Sequence, residues 1–222
     1  MSEPGTFLFA DLAGFTALTE AHGDEDAADL ASDFFQSVRT LLPEYRATEI
    51  KAMGDELMIR AEDAGAAIRL ALCIVCEIGA QHGFPTIRIG VHTGPAVERD
   101  GDWFGAAVNL AARIAAAATG GEVLLSDQTR QAAGEIEGLE LEQRGRRELR
   151  NIREPVLLYA AVRSSERSGR GLPIDPVCRM AVDPEHCAGS LHHGGIEYFF
   201  CSLGCVEAFA SEPSQYAQQA PT

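Results

Sequence analysis

Lysine is almost missing from this chain: of 222 residues only Lys51 is one, and the other 17 basic side chains are arginines. Positive charge as a whole is scarce. Eighteen basic side chains face 33 acidic ones, for a net charge of −15, shared unevenly as −12 over residues 1–162 and −3 over 163–222. That balance repels nucleic-acid backbone and anionic bilayers, which argues against both as partners. Long hydrophobic runs are missing too. The most apolar helical stretch, AAIRLALCIVCEIGA, is broken by Arg69 and Glu77 and is too short to span a bilayer. With no basic-then-apolar opening segment, the expected compartment is cytoplasmic. The six cysteines then read as metal ligands or buried thiols, not disulfides.

What is present is a globular composition, 46% apolar with a mean hydropathy of −0.04, enough to bury a core. SSERSGRGLP, residues 164–173, is polar, rich in Gly and Ser, and ends in proline, the composition of a linker. It separates a first domain, 1–163, from a second, 174–222, which holds four of the six cysteines. In the first domain TFLFADL reads as a strand and DEDAADLASDFFQSVRTLL as an amphipathic helix. TEIKAMGDELMIRAE reads as two strands joined at Gly54-Asp55, AGAAIRLALCIVCEIGAQ as a second helix, and TIRIGVHTGPAV as a strand. FGAAVNLAARIAAAA is a third helix, and GEVLLS, DQTRQAA and PVLLYAAV add strand, helix and strand. The order β-α-β-β-α-β plus extension predicts an α+β, ferredoxin-like split-βαβ sheet with helices on one face.

Asp11 closes the first strand and Asp55 sits in the strand-to-strand turn, positions that converge above the edge of such a sheet. Paired carboxylates suit Mg²⁺ or Mn²⁺, and two ions ~4 Å apart can clamp an in-line displacement. Taken singly, either aspartate would serve as well as a turn former. Asn109 and Arg113 lie four apart on one helix face, able to hold a ribose and a phosphoryl transition state. Taken alone, Arg113 reads more readily as a solvated charge on an Ala-rich helix. Cys73 and Cys76, mid-helix among aliphatics, read as core packing and not as a redox pair.

FADLAGFT, EIKAMGDELM, IRIGVHTGPAV and DWFGAAVNLAARI follow one another between about residues 5 and 162. Together they resemble the signature segments of the class III nucleotidyl cyclase catalytic domain. The resemblance implies that Asp11 and Asp55 bind two Mg²⁺ or Mn²⁺ ions per active site. It implies that Lys51 and Asp102 read the purine as adenylate cyclases do, that Asn109 orients the ribose, and that Arg113 meets the transition state. The implied reaction turns ATP into 3′,5′-cyclic AMP and pyrophosphate at the interface of a C2 homodimer. Two departures stand out. Only ERDG separates VHTGPAV from DWFG, where many members carry a longer arm. The lysine that often holds the triphosphate is absent, and in its region RGRRELRNIR offers Arg150 or Arg153 instead.

The tail, DPVCRMAVDPEHCAGSLHHGGIEYFFCSLGCVEAFASEPSQY, resembles a YHS domain, departing at Arg179 where glycine is usual. Cys178, Cys201 and Cys205 with His193 would make a Cys₃His set suited to Zn²⁺ or another thiophilic metal. His193 is preferred to His192 for its spacing to Cys201, and Cys187 stays open as a replacement ligand. Two readings result: an adenylate cyclase modulated by a metal- or redox-responsive tail, or an inactive nucleotide-binding scaffold. The intact Asp11, Asp55, Asn109 and Arg113 favour the first.

Overall fold

The computed structural model describes residues 3–163 and 172–217, so all but the last two residues of the expected linker lie outside the described residues. The elements are β1 (Glu3–Leu12), α1 (Phe15–His22), α2 (Asp24–Leu41), β2 (Ala47–Met53), β3 (Glu56–Ala61), α3 (Ala64–Cys73), β4 (Ile87–Arg99) and β5 (Asp102–Phe104). There follow α4 (Ala106–Ala117), β6 (Val123–Ser126), α5 (Asp127–Ala133), β7 (Leu139–Arg147) and β8 (Val156–Arg163). The sheet runs β2-β3-β1-β4-β6-β8-β7, with β5 paired to β4. β1 is flanked by antiparallel β3 and β4, the arrangement expected of a split βαβ.

Helices cover both faces of this sheet, not one. The reason is in β1, which is apolar at both parities. Leu8, Ala10 and Leu12 join Phe34 of α2 and Ile68 of α3, while Phe7 and Phe9 join Ala107 and Ala111 of α4. On α2, Ala27, Ala31, Phe34 and Val38 form the buried stripe at helical spacing. On the opposite face α4 sits directly on β4 because position 90 has no side chain. A Cβ on Gly90 would stand 2.0 Å from the Ala115 nitrogen and 2.6 Å from the Ala111 oxygen.

Three local features differ from the sequence pattern. FTALTEAH forms α1, a helix separated from α2 by Gly23 at φ 90. The second helix is not uniform: after Cys73 it widens into a π-helical turn, Ile74–Ile78. DWF pairs with β4 as the short β5. Cys73 is buried, and Cys76, half-buried, packs against the main core.

The C-terminal module contains the hairpin β9 (Gly189–His193) and β10 (Ile196–Phe200), then α6 (Leu203–Ser211) and α7 (Pro213–Ala217). Its apolar centre is shared. Val177, Cys178, Phe200, Cys205 and Phe209 pack in one cluster with Leu18 of α1 and Ala27 of α2. A module of ~40 residues buries too little surface to stand well alone. Here it also adds to the segment before β4: the Gly83 amide donates to Ala181 O and the Ala181 amide to Phe84 O, both at 2.8 Å. Arg179 has φ 69, the left-handed conformation that the usual glycine would adopt without strain. Its side chain lies over Gly14, where a Cβ would meet Arg179 Cγ at 2.5 Å.

Candidate active site and thiol cluster

Strand register builds the first cluster. Glu56 of β3, Asp11 of β1 and Arg88 of β4 are direct cross-strand partners, so they form one row on the α4 face. Asp55 stands beside them in the β2–β3 turn. Arg88 forms an ion pair with Asp11. Burial, then the charge of Asp11, raises Asp55 to about 6. Burial, then Asp11 and Asp55, raises Glu56 to about 7, against the opposing pull of Arg88 and Arg113. Asp55 and Glu56, both raised beside the Asp11 carboxylate, mark a cluster short of positive charge. A divalent cation on oxygen ligands would supply it, so the residues fit Mg²⁺ or Mn²⁺.

On the same face, Lys51 of β2 donates to Asp102 Oδ2 of β5 at 2.6 Å. The pair predicted from the motifs therefore meets in space. Asp102 also accepts from the Trp103 amide, and these bonds, Lys51 first, lower its pKa. Lys51 Nζ lies 5.7 Å from the centre of the Phe104 ring. Asn109 and Arg113 are exposed on α4. Arg150 and Arg153 are exposed on the loop between β7 and β8. Leu149 and Ile152 of that loop pack with Ile114 and Ala118, bringing it against the helix that carries Arg113.

The second cluster is made of thiols. Cys178 Sγ lies 3.3 Å from Cys201 Sγ, which lies 3.8 Å from Cys205 Sγ. Asp175, fully buried, ties the two cysteine loops together by accepting from the Val177 amide at 2.8 Å and the Cys201 amide at 2.9 Å. The histidine brought to these thiols is His22, not the expected His193. His22 Nε2 is 3.5 Å from Cys201 Sγ and 4.0 Å from Cys205 Sγ. His193, on β9, instead stands edge-on to Phe209 with centroids 6.1 Å apart. Neither His193 nor Cys187 is in the group of potential metal ligands found among the described residues.

Sequence reasoning missed Glu56, Arg88, Asp175 and His22. The first two become visible only through strand register, although Glu56 adjoins Asp55. His22 is 156 positions before Cys178, and no spacing rule joins them.

The chain belongs to the adenylate and guanylate cyclase catalytic domain family, which it matches over residues 2–162. Residues 174–220 match the YHS domain. A pH-sensitive adenylate cyclase of Mycobacterium tuberculosis is 37% identical over 171 residues, 75% of this chain and 42% of that protein. An adenylate cyclase of Streptomyces griseus is 36% identical over 117 residues, 53% of this chain and 29% of its own length. The chain thus spans less than half the length of these curated relatives. Two solved structures share the fold. Adenylyl cyclase CyaB from P. aeruginosa superposes with a TM-score of 0.64 at 24% identity, covering 76% of this chain and all of that one. An adenylate cyclase from Trypanosoma brucei gives 0.67 at 23%, covering 76% and 92%. No helix among the described residues is long and apolar enough to cross a membrane.

Proposed function

We propose that the chain is an adenylate cyclase that converts ATP to 3′,5′-cyclic AMP and pyrophosphate as a C2 homodimer, its output modulated by the YHS module. The Lys51–Asp102 pair carries this reading. An ammonium and a carboxylate 2.6 Å apart offer one donor and one acceptor side by side. Adenine presents the complementary ring acceptor and amine donor, whereas guanine presents the reverse, and a mismatched buried polar group is rejected strongly.

The remaining roles are those that the family resemblance implies. Asn109 orients the ribose, Arg113 neutralises charge growing on the α-phosphate, and Arg150 or Arg153 grips the triphosphate. Asp11 and Asp55 would hold Mg²⁺ or Mn²⁺, two per site; these ions, when bound, supply positive charge for the attacking 3′-oxygen and the departing pyrophosphate. Glu56 and Arg88 set the charge around those carboxylates. A second copy as partner is supported by apolar side chains left open near Lys51: Met53 is 41% exposed and Phe104 51%. One chain carries both the carboxylate side and the base-reading side, so a symmetric dimer would form two equivalent sites.

The test is a cyclic-nucleotide assay on purified protein with ATP or GTP and Mn²⁺ or Mg²⁺. Wild type should prefer ATP, Asp55→Ala should fall to background, and Lys51→Ala should lose the ATP preference. Equal turnover by wild type and Asp55→Ala would overturn the enzymatic reading.

A further inference from the structure

The thiol cluster takes its fourth donor from the catalytic domain. We infer that His22, Cys178, Cys201 and Cys205 form one tetrahedral site for a thiophilic divalent cation of the Zn²⁺ type, and that the bound ion staples the YHS module to α1. All four donor atoms lie within 4.8 Å of one another. A tetrahedral ion with Zn–S and Zn–N bonds of normal length sets its ligand atoms roughly 3.5–3.8 Å apart. Four of the six separations, 3.3, 3.5, 3.8 and 4.0 Å, bracket that range, and the other two stay within 4.8 Å. Cys178 and Cys205 are buried and His22 and Cys201 half-buried, so the site is walled by protein yet reachable.

Cys205 stands in the first turn of α6, where free amides stabilise negative charge, and its own amide donates to Ser202 Oγ. Asp175 holds the Cys178 and Cys201 loops from behind, as groups around built metal sites do. His22 is the last residue of α1, the helix that begins three residues after the end of β1. Between them, the Ala13 amide donates to Thr86 O at 2.7 Å and Gly14 lies under Arg179. An ion that fixes His22 therefore holds the C-terminal end of α1, while Arg179 of the same module already covers Gly14 at the other end. This deepens the proposed modulation and rests on it only for any effect on turnover. The binding site itself is independent of the cyclase reading.

The test uses the full chain, reduced, stripped of metal and titrated anaerobically with Co²⁺ as an optical probe, in an Asp55→Ala background that weakens the carboxylate site. One equivalent should bind with the intense visible bands of four-coordinate cobalt and thiolate-to-metal charge transfer. His22→Ala should weaken binding about 100-fold, one ligand's share of a structural site's affinity. His22→Cys should restore affinity with a stronger charge-transfer band, which guards against simple misfolding. His193→Ala should match its parent. Hydrogen exchange should show metal-dependent protection of residues 15–22 in the parent and not in His22→Ala. The inference is overturned if His22→Ala keeps parental affinity and spectrum, if His193→Ala takes the loss, or if protection stays within residues 172–217. Failure of these outcomes leaves the ATP assay untouched, and the reverse is equally true.

Discussion

His92 shows how a single buried side chain sets a pH limit. Its Nδ1 lies 2.7 Å from Ser126 Oγ, and burial pushes the imidazole from 6.5 down to about 4. A histidine kept neutral by the fold takes up a proton more readily once the chain unfolds. The stability it lends is complete above pH 6.5 and is lost as pH falls toward about 4. Denaturant titrations should find wild type losing about 3 kcal/mol more than His92→Asn across that window. Parallel pH profiles would refute the assignment. Lys51 is a second residue-scale case. A guanidinium is larger and seeks two oxygens, so Lys51→Arg should keep the charge but cut kcat/KM for ATP roughly 10- to 100-fold. Lys51 and Asp102 were legible in the sequence because each sits in a motif of fixed spacing. Glu56 and Arg88 were not, because what places them beside Asp11 is hydrogen-bond register between strands distant in sequence.

Elements were legible where periodicity was strong and obscure where tertiary packing decided. The stripe of α2 and the paired strands β2 and β3 were readable from apolar spacing and the Gly54 turn. α1 was not, since its eight residues bury only Leu18 and make a short, weak pattern. Most of its apolar partners belong to the C-terminal module, the rest to α2. The expectation of helices on one face failed because the apolar run in β1 serves both faces. The seat of α4 depends on one atom's absence. Gly90→Ala would drive a methyl group into the backbone at Ala115. Overpacking of this kind should cost about 3 kcal/mol or more. Circular dichroism melts should show the loss, and activity should fall with it because Asn109 and Arg113 ride on that helix. An unchanged melting temperature would mean that α4 does not sit where the sheet places it.

For the whole molecule, the shared cluster around Phe209 makes two sequence domains one folding unit. Calorimetry should record a single cooperative transition. Removing residues 164–222 should destabilise the remainder by roughly 2–5 kcal/mol, since Leu18 and Ala27 would lose their cover. Two separate transitions, or a truncated chain as stable as the full one, would contradict that. The two domains were legible as motifs, but their joint was not, because His22 and Leu18 carry no mark of a partner more than 150 positions away. The joint also imposes an order on biosynthesis. α1 leaves the ribosome long before Cys178, Cys201 and Cys205 do, by roughly 10–30 s at common elongation rates. For that interval Leu18 waits uncovered and His22 has no thiols to meet. The nascent catalytic domain therefore stays unfinished until the tail arrives, and a chain cut short by premature termination would betray itself by the apolar face it leaves open.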